Sequence, residues 1–151
     1  MTDTNSGLTV EAGRAAGVYV LPMPITVNNH AYLEGVGIDL IEFYKELDQG
    51  CDAVSSQPSP GEFTSLWDSI LADGYDEIVY IPMSSGLSGS CATAMTFAEE
   101  YGGRVKVADN HRISLSLMDS VFDAVKLRDK GLDGAAIKEA LEANAFNQSI
   151  Y

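Results

Sequence analysis

Apolar positions along this chain fall into alternating β-rich and helical blocks. Val18–Val27, Glu77–Met83 and Arg104–Ala108 are short, branched and apolar, and read as strands. Between them run blocks with helical apolar spacing. The spacing predicts helices over Thr9–Ala16, from a cap at Asp39 through Leu40, Ile41, Phe43, Tyr44 and Leu47, and over Pro60–Ala72. It predicts others over Ser90–Glu100, Ile113–Lys130 and Asp133–Asn144. Gly17, Gly50, Gly74 and Gly131 stand where these helices must stop. Pro22 and Pro24 place Val18–Val27 at a sheet edge, and Asn28-Asn29 turns it towards Ala31-Tyr32-Leu33. Strands alternating with helices imply an α/β fold, a mostly parallel sheet with helices on both faces, forming one domain over residues 1–151. In such sheets ligands bind beyond the carboxyl ends of the strands.

Two serine-rich turns are the candidate chemistry. The first is Ser55-Ser56-Gln57-Pro58-Ser59-Pro60-Gly61-Glu62-Phe63, and the second Ser84-Ser85-Gly86-Leu87-Ser88-Gly89-Ser90. In the first, Ser59 is an N-cap, Pro60 suits the first helical position and Glu62 falls three residues after the cap, a capping box. Ser59 and Glu62 are therefore structural, and Ser55 and Ser56 are left as free hydroxyls. The second turn lies between a buried strand and a helix, so backbone N–H groups and the helix dipole there favour an anion. Gly86 and Gly89 allow positive φ and close approach to a ligand. The Asp3 turn and the Asp109 turn are expected to gather at the same sheet edge.

Charge narrows the partners. With 9 Lys+Arg against 22 Asp+Glu the net charge is −13, which argues against nucleic acid, since phosphate binding needs clustered cations. No apolar run approaches the ~20 residues of a membrane span. The N-terminus lacks a basic region followed by an apolar stretch, so no signal peptide is expected, and with two cysteines a cytoplasmic setting is expected. Cys51 and Cys91 form no metal or redox spacing. Cys91, near a helix start, is read as a small buried residue, with a lowered thiol pKa as the alternative. Glu99-Glu100 and Glu139/Glu142 read as solvated helix faces. No metal site, cofactor or catalytic carboxylate pair is expected.

The run S-Q-P-S-P-G-E-F, followed after an apolar strand by S-S-G-L-S-G-S, resembles the N-terminal domain of the DegV family. Thr2-Asp3-Thr4-Asn5-Ser6-Gly7 is similar to the family's opening T-D-S turn, Val20-Leu21-Pro22-Met23 to its V-x-P-L segment, and Asp109-Asn110 to its Asp-Ser turn. The resemblance implies a non-catalytic protein that binds one long-chain fatty acid and, in some bacteria, presents it to a fatty acid kinase. It implies carboxylate contacts from Ser55, where the family usually has Thr, and from Ser88, with Ser56, Ser85, Gly86, Leu87 and Gly89 as the supporting loop. Family members have about twice this length, with a second domain completing the lipid tunnel. Their opening strand is longer than the single Met1 before Thr2, and glycines stand where this chain has Leu115, Ser116 and Leu117. The chain is thus expected to be a fragment or a half that needs a partner. Gln148–Tyr151 resembles the strand crossing into the second domain, and the uncovered face is expected to be apolar, meeting a homodimer copy or a partner.

Two other readings stay open. Gly86-Leu87-Ser88-Gly89-Ser90 follows a strand as a nucleophile elbow does, but lacks the second glycine of G-x-S-x-G. A serine hydrolase would need His30 or His111 as base. A small phosphate-ligand domain would use the turn's N–H groups alone, without a G-K-[ST] motif. Magnitude weighs on the lipid reading too. Burying a chain of about 16 carbons at ~0.8 kcal/mol per CH₂ gains on the order of 12 kcal/mol. Covering one side keeps roughly half, and losing ~6 kcal/mol weakens binding about four orders of magnitude. A single half is therefore expected to bind weakly.

Overall fold

The computed structural model describes residues 1–38 and 40–147. The expected cap at Asp39 and the crossing strand at Gln148–Tyr151 lie outside the described residues. The elements in chain order are β1 (Thr2–Asp3), a 3-10 turn (Thr4–Ser6), α1 (Val10–Ala15), β2 (Val20–Leu21), β3 (Pro24–Val27) and β4 (His30–Leu33). Then come α2 (Leu40–Asp48), β5 (Ala53–Ser55), α3 (Pro60–Ala72), β6 (Ile78–Tyr80) and α4 (Ser90–Ala98), which runs on as a 3-10 turn. β7 (Val105–Val107), α5 (Ser114–Asp129) and α6 (Gly134–Ala143) complete the order.

The main sheet is parallel. β1 pairs with β2 through Thr2 and Val20, β6 pairs with β7 through Ile78 and Val105, and a parallel bridge from Thr2 to Ile81 joins the two pairs. The lateral order is therefore β2-β1-β6-β7, with the amide of Ile81 donating to Met1 O at 2.9 Å. Alternation along the strands sorts side chains to two faces. On one face Leu21, Ile78, Tyr80, Val105 and Val107 meet Phe63, Trp67 and Ile70 of α3 and Cys91, Ala94 and Ala98 of α4. On the other, Val20, Ile81 and Ala108 meet Leu117 and Val121 of α5 and Ile137 and Leu141 of α6. The expected α/β fold with helices on both faces is what forms.

The helix starts follow their sequence signals. Ser59 N donates to Glu62 Oε2 at 2.6 Å and Glu62 N to Ser59 Oγ at 3.4 Å, closing the capping box. Asp133 Oδ1 accepts from Ala136 N at 2.8 Å, which opens α6.

The Val18–Val27 block does not form one strand. Leu21 ends β2 in the parallel sheet, and Pro24 begins β3 in a separate antiparallel sheet of order β4-β3-β5. Pro22 and Pro24 lack the N–H that would continue the ladder, so the chain leaves one sheet for another between them. Asn28 and Asn29, at φ 49° and 65°, make the hairpin turn; both central residues at positive φ suit a type I′ connection, and Asn tolerates that region. β5 gave no sequence signal, because Ala53, Val54 and Ser55 are all exposed and carry no alternating pattern.

Close packing of α1 on β2 depends on one glycine. A Cβ at Gly13 would stand 2.8 Å from Val18 O and overlap the Val20 side chain. Alanine is the better helix former by ~1 kcal/mol, but a backbone carbonyl cannot give way as a flexible side chain can. Gly13→Ala is expected to destabilise the fold by about 1–3 kcal/mol. Urea unfolding checks this as a lower midpoint at unchanged slope; an unchanged midpoint would show that α1 can lift away without cost.

Candidate functional site

Three turns leave the carboxyl ends of the parallel strands and are tied to one another. After β1, Asp3 is fully buried: its Oδ1 accepts from Asn5 N and Asn5 Nδ2, both at 3.0 Å, and its Oδ2 from Met83 N at 3.1 Å. The Tyr80 hydroxyl lies 3.5 Å from the same Oδ2. Burial raises the Asp3 pKa above its ordinary value, and the donors that surround it pull the other way. The Tyr80 phenol is pushed well above its usual range by burial, with the Asp3 charge adding to it.

The turn after β6 is the second serine motif. Ser84 N donates to Arg112 O at 3.0 Å, tying it to the turn after β7. Ser84 O accepts from Leu87 N at 3.0 Å and Ser88 N at 3.2 Å, and Ser84 Oγ from Gly86 N at 3.2 Å. Ser85 N donates to Asp109 Oδ1 at 3.3 Å. Ser88, half-buried, accepts from Ser90 N at 3.1 Å, so its own hydroxyl proton is left to donate to a ligand.

Several expectations about this turn are corrected. Neither Gly86 nor Gly89 belongs to the positive-φ glycines, and Gly89 has φ −69°. The turn closes on Ser84 O with ordinary backbone angles, so no left-handed residue is needed. Gly89 serves close approach instead: a Cβ there would stand 3.2 Å from Gln57 Oε1. That contact joins the two serine turns. The first N–H of α4 is already bonded to Ser88 Oγ, so the helix start is not a bare N–H cradle. Cys91 is buried and its thiol is pushed up to about 12, by burial first and by the Asp109 charge next, which removes the lowered-pKa alternative. Glu142 is not a merely solvated position: its Oε1 accepts from Asp109 N at 3.1 Å and from Lys138 Nζ at 2.7 Å, holding the Asp109 turn onto α6.

The first serine motif arrives from the other sheet. Ser55 ends β5 opposite Ile25 rather than lying in a turn, and Ser56 N donates to Pro24 O at 3.0 Å. Both side chains are exposed, and neither hydroxyl has a hydrogen bond among the described residues. Pro58 is fully buried beneath them. Leu87 in the second serine turn and Leu115 near the start of α5 are exposed apolar side chains, as is Val54 on β5, on the opposite face from Ser55. A half-open, mostly apolar cavity of about 160 Å³ lies at the opposite end of the sheet, between Met1, Tyr19, Ile78, Val121 and Leu132.

Cations near the site are turned elsewhere. Arg112 is buried, its Nη1 donating to Ser120 Oγ at 2.9 Å, its Nε to Ala145 O at 3.3 Å and its Nη2 to Asn144 O, which caps the end of α6. His111 stacks on Phe146 at 5.2 Å with Nδ1 3.7 Å from Asp109 Oδ1, and His30 begins β4. Among the described residues no cluster of metal-ligating side chains forms, and no helix is long and apolar enough to cross a membrane. Sequence reasoning missed Tyr80, Gln57 and Glu142 as parts of this region; only Gln57 carried a signal, its place inside the serine motif.

The architecture is that of an α/β domain with hydroxyl-bearing turns at the carboxyl ends of its parallel strands, and comparison with known proteins gives it a family. The family model described as "Uncharacterised protein, DegV family" matches residues 1–151, and the chain belongs to the DegV family. A DegV domain-containing protein of Staphylococcus aureus is 33% identical over 151 residues, covering 100% of this chain and 54% of that protein. One from Deinococcus radiodurans is 34% identical over 143 residues, covering 94% and 50%. Among solved structures, a DegV family protein from Thermus thermophilus, described for its fatty acid binding, superposes with a TM-score of 0.84 at 28% identity, covering 95% of this chain and 51% of that one. The chain spans about half the length of the curated relatives it matches.

Proposed function

We propose that this chain supplies one wall of a long-chain fatty acid site, with the carboxylate met by the hydroxyls of Ser55 and Ser88. The observation that supports the reading is the approach of the Gln57 side chain, in the first serine motif, to Gly89 in the second, where an added Cβ would stand 3.2 Å from Gln57 Oε1. The 28% identity to the fatty-acid-binding Thermus protein supports the ligand class. Ser55 and Ser88 each have a hydroxyl proton to offer, and a carboxylate is an acceptor-only group that takes two such donors. The exposed Leu87, in the same turn as Ser88, gives an acyl chain its first apolar contact. The rest of the tunnel belongs, on this reading, to the half of the relatives' length that this chain does not span. The chain itself performs no chemistry on the lipid; it holds the carboxylate for a fatty acid kinase.

Native mass spectrometry of the protein purified from a bacterial host, followed by organic extraction, tests the ligand class. A co-purifying C14–C18 fatty acid, even below one per chain, is the expected result. A chain that stays empty both alone and when supplied with the remaining half of a relative would overturn it.

A further inference from the structure

We propose that Asp3 is the positioning residue of the serine turn: its carboxylate fixes the Met83 amide and, through Ser84, holds Ser88 in place without touching the ligand. This inference rests on the fatty acid reading of Ser88, and deepens it.

The argument is one of donors and acceptors. Asp3 is buried between β2 and β6, and every group that meets its carboxylate is a donor: the Asn5 amide N–H, the Asn5 side-chain NH₂, the Met83 amide N–H and the more distant Tyr80 hydroxyl. None of them is charged, and no ion pair reaches Asp3 among the described residues. An ionised carboxylate is acceptor-only and satisfies this set completely. An amide of the same shape cannot, because either rotamer turns an NH₂ towards an N–H. A buried carboxylate with no cation beside it is costly even when hydrogen-bonded, so its presence needs a return. That return is placement of the second serine turn.

The path from Asp3 to Ser88 is short and rigid. Met83 is the last residue before the turn. Ser84, next to it, is buried and bonded at four points: its N–H to Arg112 O, its Oγ to Gly86 N, and its carbonyl oxygen to Leu87 N and Ser88 N. Asp109 pins the outer side of the turn at Ser85. The inner pin at Met83 is the only one of the two made by a buried carboxylate. The titratable groups around Asp3 are Tyr80 on β6, Cys91 at the start of α4, Asp109 after β7, and Glu34, whose Oε2 accepts from Thr4 Oγ1 at 2.5 Å. Tyr80 and Cys91 are both pushed upward, so in the acid range neither changes its proton count.

The test is a nuclear magnetic resonance titration of the unaltered chain towards low pH, together with a binding cycle. The Asp3 carboxyl carbon and the amides of Met83, Ser84 and Ser88 are expected to move with one shared midpoint, above the ordinary aspartate range. If the Ser84 and Ser88 amides ignore the Asp3 titration, the positioning role is overturned. With cis-parinaric acid as the probe, Asp3→Asn is expected to weaken binding about tenfold, and to weaken the Ser88→Ala variant little further, since residues acting as one unit are non-additive. Fully additive losses would show that Asp3 acts by another route and overturn the proposal. A chain that binds no probe even when supplied with the remaining half of a relative, yet shows the shared midpoint, sinks the fatty acid reading and leaves Asp3 as the post of the turn.

Discussion

Replacing Ser55 and Ser88 together by alanine is expected to weaken fatty acid binding by roughly 100-fold or more, with the fold retained. Each hydroxyl donated to a carboxylate is a charge-assisted hydrogen bond of about 1–3 kcal/mol. The pair therefore contributes ~2–6 kcal/mol, and 1.4 kcal/mol is a factor of ten. The two positions differ in what the fold itself asks of them. Ser55 is exposed and its hydroxyl is bonded to nothing among the described residues, so Ser55→Ala is close to neutral for stability. Ser88 Oγ accepts the first N–H of α4, so Ser88→Ala loses a helix-start contact of about 1 kcal/mol. Displacement of cis-parinaric acid, read beside a urea melt for each variant, separates the two effects. A double variant that binds as tightly as the parent at comparable stability would show that the carboxylate is held elsewhere on this surface.

Much of this architecture was legible because local signals agreed with the tertiary solution. Ser59-Pro60-Gly61-Glu62 predicts its own helix start, and the structure closes that box. The continuous apolar run through Ile78-Val79-Tyr80 predicts a buried strand, and Tyr80 and Val79 do face different helix layers. What could not be read was non-local. β1 has two residues, and its pairing with β2 and Ile81 depends on chain segments nearly 20 and 80 positions away. β5 has no pattern of its own and is a strand only because β3 offers it an edge. The same limit applies to the site. The hydroxyls were visible in the two motifs, but the acceptors that set the second turn, Asp3 and Asp109, come from other strands. Glu142 looked solvated from its helical spacing, and becomes a site residue only because α6 packs beside β7.

Stability of the 151-residue chain, with Met1 retained, is expected to fall by about 3 kcal/mol as pH drops from 8 to 5. Met1 stands just before β1, which lies in the middle of the parallel sheet, and its amine is partly buried, donating to Val79 O at 2.9 Å. Burial first, and the positive charge of Arg128 second, lower its pKa from 8.0 to about 5. The folded state therefore prefers the neutral amine. Above pH 8 the amine is neutral in both states and folding carries no charge penalty. Below it the unfolded chain takes up the proton and the folded one does not, so stability is lost at up to ~1.4 kcal/mol per pH unit until the folded amine also protonates near 5. A loss of that size is a large fraction of the ~5–15 kcal/mol that holds a typical domain together. Glu77 cannot imitate it: Lys106 holds that carboxyl below its usual value, so it stays charged throughout this window. Asp3 acts in the opposite sense, since its raised pKa favours the folded state as pH falls. Acetylation of the amine isolates the effect. The apolar cavity of about 160 Å³ beside Met1 has room for an acetyl group, which keeps the N–H for Val79 O and removes the charge. Urea melts of the acetylated chain are expected to show no fall in stability between pH 8 and 5. Equal losses in both forms would mean that another group titrates in this window and that the amine contributes nothing to the loss.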